Sequence, residues 1–148
     1  MIPRGLILAL SIGVAAGGIF GIFFVDLKNP NELNFVEGKS LSIVTEKTDF
    51  KKGEIIQIKI INSGTTPIFF SDASYGLKIR GLDGTILYSP VSAQVVSTLH
   101  PEEEKIFKWD QIKNDGDPIL EGTYKITSGG FTPNKDIVKK SITVHILK

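Results

Sequence analysis

The stretch EIIQIKIIN, residues 54–62, decides the fold class, because its apolar residues recur at every second position. Along the extended chain, one face then carries Ile56, Ile58 and Ile60. The other face mixes Gln57 and Lys59 with two further isoleucines, so both faces are expected to be partly covered. Alternation over this length predicts a β-strand with a buried face.

Similar β-rich segments continue to the C-terminus and are separated by turn residues. They are LSIVTEK (41–47), PIFFS (67–71), LKIR (77–80), TILYS (85–89), AQVVSTL (93–99), EKIFKWD (104–110), GTYKITS (122–128) and VKKSITVHIL (138–147). The Asp-Gly pair at residues 83–84 predicts a tight hairpin between two of them. This spacing predicts an all-β domain over residues 41–148, an antiparallel immunoglobulin-like β-sandwich of about eight strands.

Aromatic residues are expected to fill the core of this domain, since the chain has nine phenylalanines, three tyrosines and one tryptophan. The segment KKGE (51–54) is expected to be a turn. The uncharged segment SPVSAQVVST (89–98) has two interpretations. It is expected to be a core strand, and the alternative is an edge strand open to a partner.

An uncharged apolar segment precedes the domain. Residues 5–25 read GLILALSIGVAAGGIFGIFFV, and about 20 such residues span the hydrocarbon core of a bilayer as a helix. We therefore expect one transmembrane helix at 5–25, a cytoplasmic N-terminus at 1–4 and a polar linker at 26–40. Arg4 gives a weak positive bias to the N-terminal flank, which predicts an extracytoplasmic C-terminal domain at the cell membrane. A cleaved secretory signal is one alternative.

Small residues recur at every fourth position of the predicted helix: Gly5, Ala9, Gly13, Gly17 and Gly21. Small side chains allow two helices to approach closely in lipid. The ladder predicts self-association or association with another membrane helix, and chance recurrence is the alternative.

No pattern of catalytic or metal-binding residues stands out, so we expect no enzyme, no cofactor and no metal site. His100 and His145 are lone histidines without the spacing of metal ligands. Asn114, Asp115 and Asp117 are typical of a turn that bonds its own backbone. The net charge of +1 gives no indication of nucleic-acid binding.

The loop of residues 71–76 is the candidate contact for a partner. Tyr75 is expected to anchor an interface if the loop protrudes, with Asp72 beside it. A buried Tyr75 with a hydrogen-bonded hydroxyl is the equal alternative.

The segment from Lys47 to Ser128 resembles the BsuPI-like domain, a family named after an intracellular proteinase inhibitor of bacilli. The shared pattern includes NSGTTPIFFS (62–71), an Asp-Gly hairpin, a Pro-x-Glu turn at 101–103, a strand ending in Trp109 and the strand GTYKI (122–126). The resemblance implies a β-sandwich and protease inhibition, and it supplies no reactive-site residues.

These observations together predict a membrane-anchored extracytoplasmic protein-binding module, such as an accessory subunit or a surface interaction protein of the cell envelope. Its expected partners are membrane lipid, another membrane or envelope protein, and itself through the helix. Two alternatives remain open. One is a proteinase-inhibitor-like domain. The other is a pilin-like or archaellum-associated subunit, because MIPRG followed by an apolar run is similar to a pilin processing signal.

Overall fold

The computed structural model describes residues 33–148, which form an all-β domain. Its strands are β1 (Leu41–Thr45), β2 (Asp49–Lys51), β3 (Ile56–Asn62), β4 (Ile68–Phe70), β5 (Lys78–Gly81), β6 (Ile86–Tyr88), β7 (Ser97–Leu99), β8 (Glu104–Trp109), β9 (Gly122–Phe131) and β10 (Ile137–Leu147). The prediction of an all-β domain is confirmed. The predicted membrane helix and its ladder of small residues lie outside the described residues.

The strands form two sheets that share one core. The smaller sheet has the order β1-β3-β8, and the larger has the order β2-β10-β9-β4-β7, with β5 paired to β9 and β6 paired to β5. Buried apolar side chains from both sheets belong to a single cluster. The architecture is therefore a β-sandwich, in which two inner faces exclude water from the layer between them.

Strand β3 follows the predicted alternation and lies in the centre of the smaller sheet. Ile56, Ile58 and Ile60 are fully buried, and β1 and β8 pair with β3 on either side. The hairpin at residues 83–84 is also confirmed: β5 pairs with β6, and Asp83 Oδ1 accepts the backbone N–H of Thr85 at 3.0 Å.

Strand β2 corrects the expectation that all strands are antiparallel. It pairs with β10 in parallel, with Phe50 opposite Ile146, and Lys51 ends the strand where a turn was expected to begin. The chain thus passes from the smaller sheet at β1 to the larger sheet at β2. Phe50 is 2% exposed, so this short strand closes the core along β10.

The core is mainly aliphatic, which corrects the expectation that aromatic residues fill it. Its members are largely isoleucines and valines from β3, β5, β9 and β10. Among the described phenylalanines, Phe50 and Phe70 are buried, whereas Phe35 and Phe131 are exposed. Branched aliphatic side chains pack well on a pleated surface, and this explains why the alternating isoleucines identified the strands.

The start of β9 is fixed by a tyrosine. The Tyr124 hydroxyl donates to the carbonyl oxygen of Leu120, four residues upstream, at 2.6 Å. Burial raises the pKa of this hydroxyl and thereby keeps it protonated as a donor. A tyrosine that bonds back to the preceding turn is a recurrent feature of β-sandwiches with Greek-key connections.

Replacing Tyr124 with phenylalanine should remove this hydrogen bond while keeping the packed ring. We expect the free energy of unfolding to fall by about 1 kcal/mol, the usual net value of one hydrogen bond. Urea unfolding of the full chain in mild detergent measures the change. Tyr88→Phe is the control, since Tyr88 contributes its ring, which stacks on Trp109 at 5.8 Å. Equal losses in both variants would contradict the role of the Tyr124 hydroxyl.

The segment before β1 is held against the domain by backbone hydrogen bonds. Val36 N–H donates to Ser63 O at 2.9 Å, and Gly38 O accepts the N–H of Thr65 at 2.8 Å. Ordered contacts thus begin five residues before β1, within the segment predicted as a linker. In the part of the chain that the structure describes, no helix has the length and hydropathy that a membrane span needs.

Candidate ligand-binding surface

A polar surface lies on the outer face of the larger sheet, where β5, β9 and β10 run side by side. Lys78 pairs with Thr127, and Thr127 pairs with Ser141. The neighbours of these residues along each strand, Ile79, Ile126 and Ile142, are buried. Because side chains alternate along a strand, the row from Lys78 to Ser141 faces outward.

A groove of about 710 Å³ crosses this face. We call it the basic groove. Its cations are Lys78, Arg80, Lys139 and Lys140, its hydroxyl groups include Ser71, Ser74, Ser89, Thr127 and Ser141, and its one carboxylate is Asp72. Its volume falls within the range of about 300–1,000 Å³ that is usual for ligand pockets.

The charges of the basic groove are poorly balanced by the protein itself. Among the salt bridges within residues 33–148, none involves its four cations. Arg80 Nη1 donates to the carbonyl oxygen of Gly84 at 3.1 Å. Because a carbonyl group is neutral, this hydrogen bond leaves the charge of the Arg80 guanidinium unneutralised. The net charge of the chain is only +1, so positive charge is concentrated locally here. A concave surface with one sign of charge attracts ions of the opposite sign.

Asp72 has a structural role at the wall of the groove. Its carboxylate accepts the backbone N–H of Ser74 at 2.8 Å and the Ser74 hydroxyl. These hydrogen bonds hold the pKa of Asp72 below its usual value, with a smaller contribution from Lys78. The carboxylate thus caps the turn of its own loop, and its prediction as a partner contact stays a prediction.

The chain reverses sharply at Tyr75 and Gly76, which both have left-handed backbone angles, with φ of 53° and 66°. The Ser128 hydroxyl donates to Tyr75 O at 2.7 Å and fixes the loop to β9. At Gly76 a Cβ atom would collide with the backbone oxygen of Gly129. The absence of a side chain at Gly76 therefore allows this loop to approach β9 closely and form one wall of the basic groove.

The side chain of Tyr75 turns away from the groove and is half-buried. Its ring lies 5.0 Å from the ring of Phe70 and 6.2 Å from that of Phe107. The Lys105 ammonium lies 5.6 Å from the centre of the Tyr75 ring. This packing is intermediate between the two alternatives predicted for Tyr75, and the contact with a partner that was predicted for it is untested.

An exposed apolar loop borders the basic groove. The valines of this loop, Val91, Val95 and Val96, are 98%, 60% and 64% exposed. We call residues 91–96 the apolar loop. The prediction that residues 89–98 form a core strand is therefore wrong, and only Ser97–Leu99 is a strand. Pro90 and the irregular backbone that follows keep the segment out of the sheet, because proline cannot donate to a strand ladder.

Hydrogen bonds fix the backbone of the apolar loop near its middle and just before its start. Ala73 N–H donates to Ala93 O at 3.1 Å. Before the loop, Ser89 N–H donates to Asn114 Oδ1 at 2.7 Å, and Asn114 Nδ2 donates back to Ser89 O at 2.9 Å. Since Asp72 and Ser89 also line the basic groove, the apolar loop and the basic groove form one continuous surface.

The other polar residues considered from the sequence have structural partners. The Lys113 ammonium Nζ lies 3.4 Å from Asp115 Oδ2 and 3.9 Å from Asp117 Oδ2. Asp115 also caps the turn, because its Oδ1 accepts the backbone N–H of Asp117 at 2.9 Å. His145 Nδ1 lies 3.0 Å from the Thr123 hydroxyl. Within residues 33–148 no group of three or more acidic, histidine or cysteine side chains is arranged to hold a metal ion.

No protein-family model matches the sequence, and no curated protein matches it. The resemblance to BsuPI-like domains therefore stays a prediction. Solved structures give loose matches. Spo0M, a sporulation control protein of Bacillus subtilis, is 15% identical with a TM-score of 0.45, over 75% of this chain and 50% of Spo0M.

Two further solved structures are similar at the same level. The CARDB domain of a Pyrococcus furiosus protein, in complex with di-metal ions, is 16% identical with a TM-score of 0.37, over 75% of this chain and 94% of that domain. A β-glucosidase of Listeria innocua is 15% identical with a TM-score of 0.32, over 74% of this chain and 16% of the enzyme. The chain thus spans half of Spo0M and a small part of the enzyme, and nothing about its function follows from these matches.

Proposed function

We propose that this chain is a membrane-anchored extracytoplasmic module that binds another protein, through the surface formed by the basic groove and the apolar loop. In this proposal the domain is immunoglobulin-like, residues 5–25 are the anchor, and the module is an accessory or surface interaction protein of the cell envelope. The single observation that carries the binding role is the apolar loop, which exposes three valines while hydrogen bonds fix its backbone at Ala93 and the chain before it at Ser89.

Exposed valines at one site favour an interface over a purely structural role. Isolated apolar residues are common on protein surfaces, but a cluster beside a groove is typical of a binding site. The hydrogen bonds of Ala73 with Ala93 and of Asn114 with Ser89 hold the loop in place before any partner binds. A pre-organised loop loses less conformational entropy on association, so more of its burial energy contributes to affinity.

Site-specific photo-crosslinking in intact cells tests this role. A photoreactive side chain replaces Gln94, which is exposed at the centre of the apolar loop, and we expect a discrete adduct with one protein. Changing all three valines to serine should reduce this adduct by about tenfold or more, because apolar area no longer leaves water on binding. Position 52, an exposed turn residue outside this surface, is the matched control site.

Two results would contradict the proposed function. One is an adduct from position 94 that persists unchanged in the triple serine variant. The other is adduct formation from position 52 but not from position 94. Membrane anchorage is checked separately: the full chain should stay in the membrane fraction after washing with high salt and should be released only by detergent.

A further inference from the structure

We infer that the basic groove takes an acidic polypeptide segment in extended conformation, with two or more carboxylates and one apolar side chain at its end. This inference rests on the proposed function, because it specifies the chemistry of the protein partner. Its evidence is independent of the apolar loop. It comes from the spacing of the cations and from the side chains at one end of the groove.

The spacing of the cations favours an elongated occupant over a single small anion. Lys78 on β5 is opposite Thr127 on β9, and Lys139 on β10 is opposite Gly129 on β9. The two lysines are therefore separated by two strand spacings, which is about 10 Å, and by two residues along the strands, which is about 7 Å. An elongated occupant spans that separation, whereas a single carboxylate or phosphate meets both ammonium groups only if both lysine side chains turn toward it.

An extended peptide supplies acidic groups at a suitable separation. Side chains at positions i and i+4 of an extended chain lie on the same face about 13 Å apart, and those at i and i+2 about 7 Å apart. Flexible lysine side chains accommodate the remaining difference. Between the cations, the Thr127 and Ser141 hydroxyls line the groove and are suited to hydrogen bonds with peptide groups.

The end of the groove at the β9–β10 hairpin is apolar. Phe131 and Ile137 are opposite each other in the sheet and are 38% and 66% exposed. Phe69, the residue opposite Phe131 on β4, packs beside it, with ring centres 6.1 Å apart. An anionic polymer such as polyphosphate has no group for this end, whereas an acidic peptide offers an apolar side chain. The combination favours a polypeptide.

Fluorescence anisotropy with a designed peptide tests the inference on the full chain in non-ionic detergent. The probe is a labelled extended peptide with glutamate at alternate positions and a terminal phenylalanine. We expect it to bind at low salt, to weaken as salt is added, and to lose at least about tenfold in affinity when glutamine replaces every glutamate. Polyphosphate of similar charge is the competing probe.

Matched charge reversals assign the binding to the groove. The pair Lys78→Glu and Lys139→Glu should weaken peptide binding by about tenfold or more. The pair Lys52→Glu and Lys108→Glu changes the net charge equally at exposed residues outside the groove, and it should leave affinity within about twofold. Phe131→Ser should weaken binding of the peptide that ends in phenylalanine by several fold. It should hardly change the binding of a peptide that ends in serine.

Three outcomes would overturn the inference: equal losses in both charge-reversal pairs, binding of polyphosphate without the peptide, or no peptide binding at low salt. Its failure is distinguishable from failure of the proposed function. An adduct at position 94 without peptide binding would show that a protein partner exists and that it is not recognised through an acidic segment. Thermal melting of each variant confirms that the charge reversals leave the domain folded.

Discussion

Replacing Asn62 with alanine should lower the free energy of unfolding by about 3 kcal/mol, because three hydrogen bonds of a fully buried side chain are lost together. Its Nδ2 donates to Thr66 O and Leu99 O, both at 2.9 Å. Its Oδ1 accepts the N–H of Gly64 at 3.0 Å. The side chain thus joins the end of β3 to the following loop and to β7, and its removal leaves buried backbone groups without partners.

Two further variants define the origin of this loss. Asn62→Asp keeps the acceptor for Gly64 but directs a carboxylate at two carbonyl oxygens, so its pKa in the folded state should be raised. The folded state then binds a proton more tightly than the unfolded state, and the loss of stability should be smaller at pH 4 than at pH 7. Asn134→Ala, at an exposed turn residue, should change stability by less than about 0.5 kcal/mol.

Unfolding in urea, followed by the fluorescence of the single tryptophan, measures these changes on the full chain in mild detergent. Trp109 is buried, so unfolding transfers it to water and changes its emission. A stability of Asn62→Ala within about 1 kcal/mol of the parent would indicate that water or neighbouring groups replace the amide, and the assigned role would be wrong.

Local signals explain which parts of the fold were predictable. Alternation of isoleucines identified β3, and the pair Asp83-Gly84 identified the β5–β6 hairpin, because both signals depend only on neighbours in sequence. The same alternation along GTYKITS (122–128) places Tyr124 and Ile126 on one face of β9, where both are buried. Each of these predictions needs no knowledge of distant residues.

Distant pairing explains what the sequence could not provide. Strand β2 has only three residues, and its partner β10 lies almost one hundred residues later. Hydropathy also misled at residues 89–98. The valines there resemble those of a core strand, but the backbone before β7 bonds to Ala73 and Asn114 instead of to a sheet. Exposure of an apolar segment depends on tertiary contacts that composition does not record.

The basic groove was missed for the same reason. Its cations come from β5 and β10, about sixty residues apart, and neither segment is unusually basic. Asp72 and Tyr75 were singled out as candidates, and the structure places their loop at the wall of the groove. One local signal was available but was not used: Lys78 and Arg80 alternate with the buried Ile79, which is typical of a strand with an outward basic face. Only the register of β5, β9 and β10 brings that face beside Lys139.

Replacing Trp109 with alanine should have the largest effect on stability, a loss of about 3–5 kcal/mol, because a fully buried indole leaves a large cavity. The residue is 1% exposed, and its ring stacks on Tyr88. Circular dichroism follows this unfolding, since the fluorescent probe is absent. Phe35→Ala removes an aromatic side chain that is 55% exposed, and it should cost less than about 1 kcal/mol.

Trp109→Phe separates the packing of the indole from its hydrogen bond. Indole Nε1 donates to Ile112 O at 3.0 Å and holds the turn that carries Asn114, the residue that fixes Ser89 before the apolar loop. Phenylalanine retains most of the buried surface, so we expect a loss of about 1–2 kcal/mol. The amide hydrogen of Ser89 should also exchange with solvent faster than the loss of global stability alone predicts. If its exchange changes only in proportion to global stability, Trp109 fills the core without positioning the turn that carries Asn114.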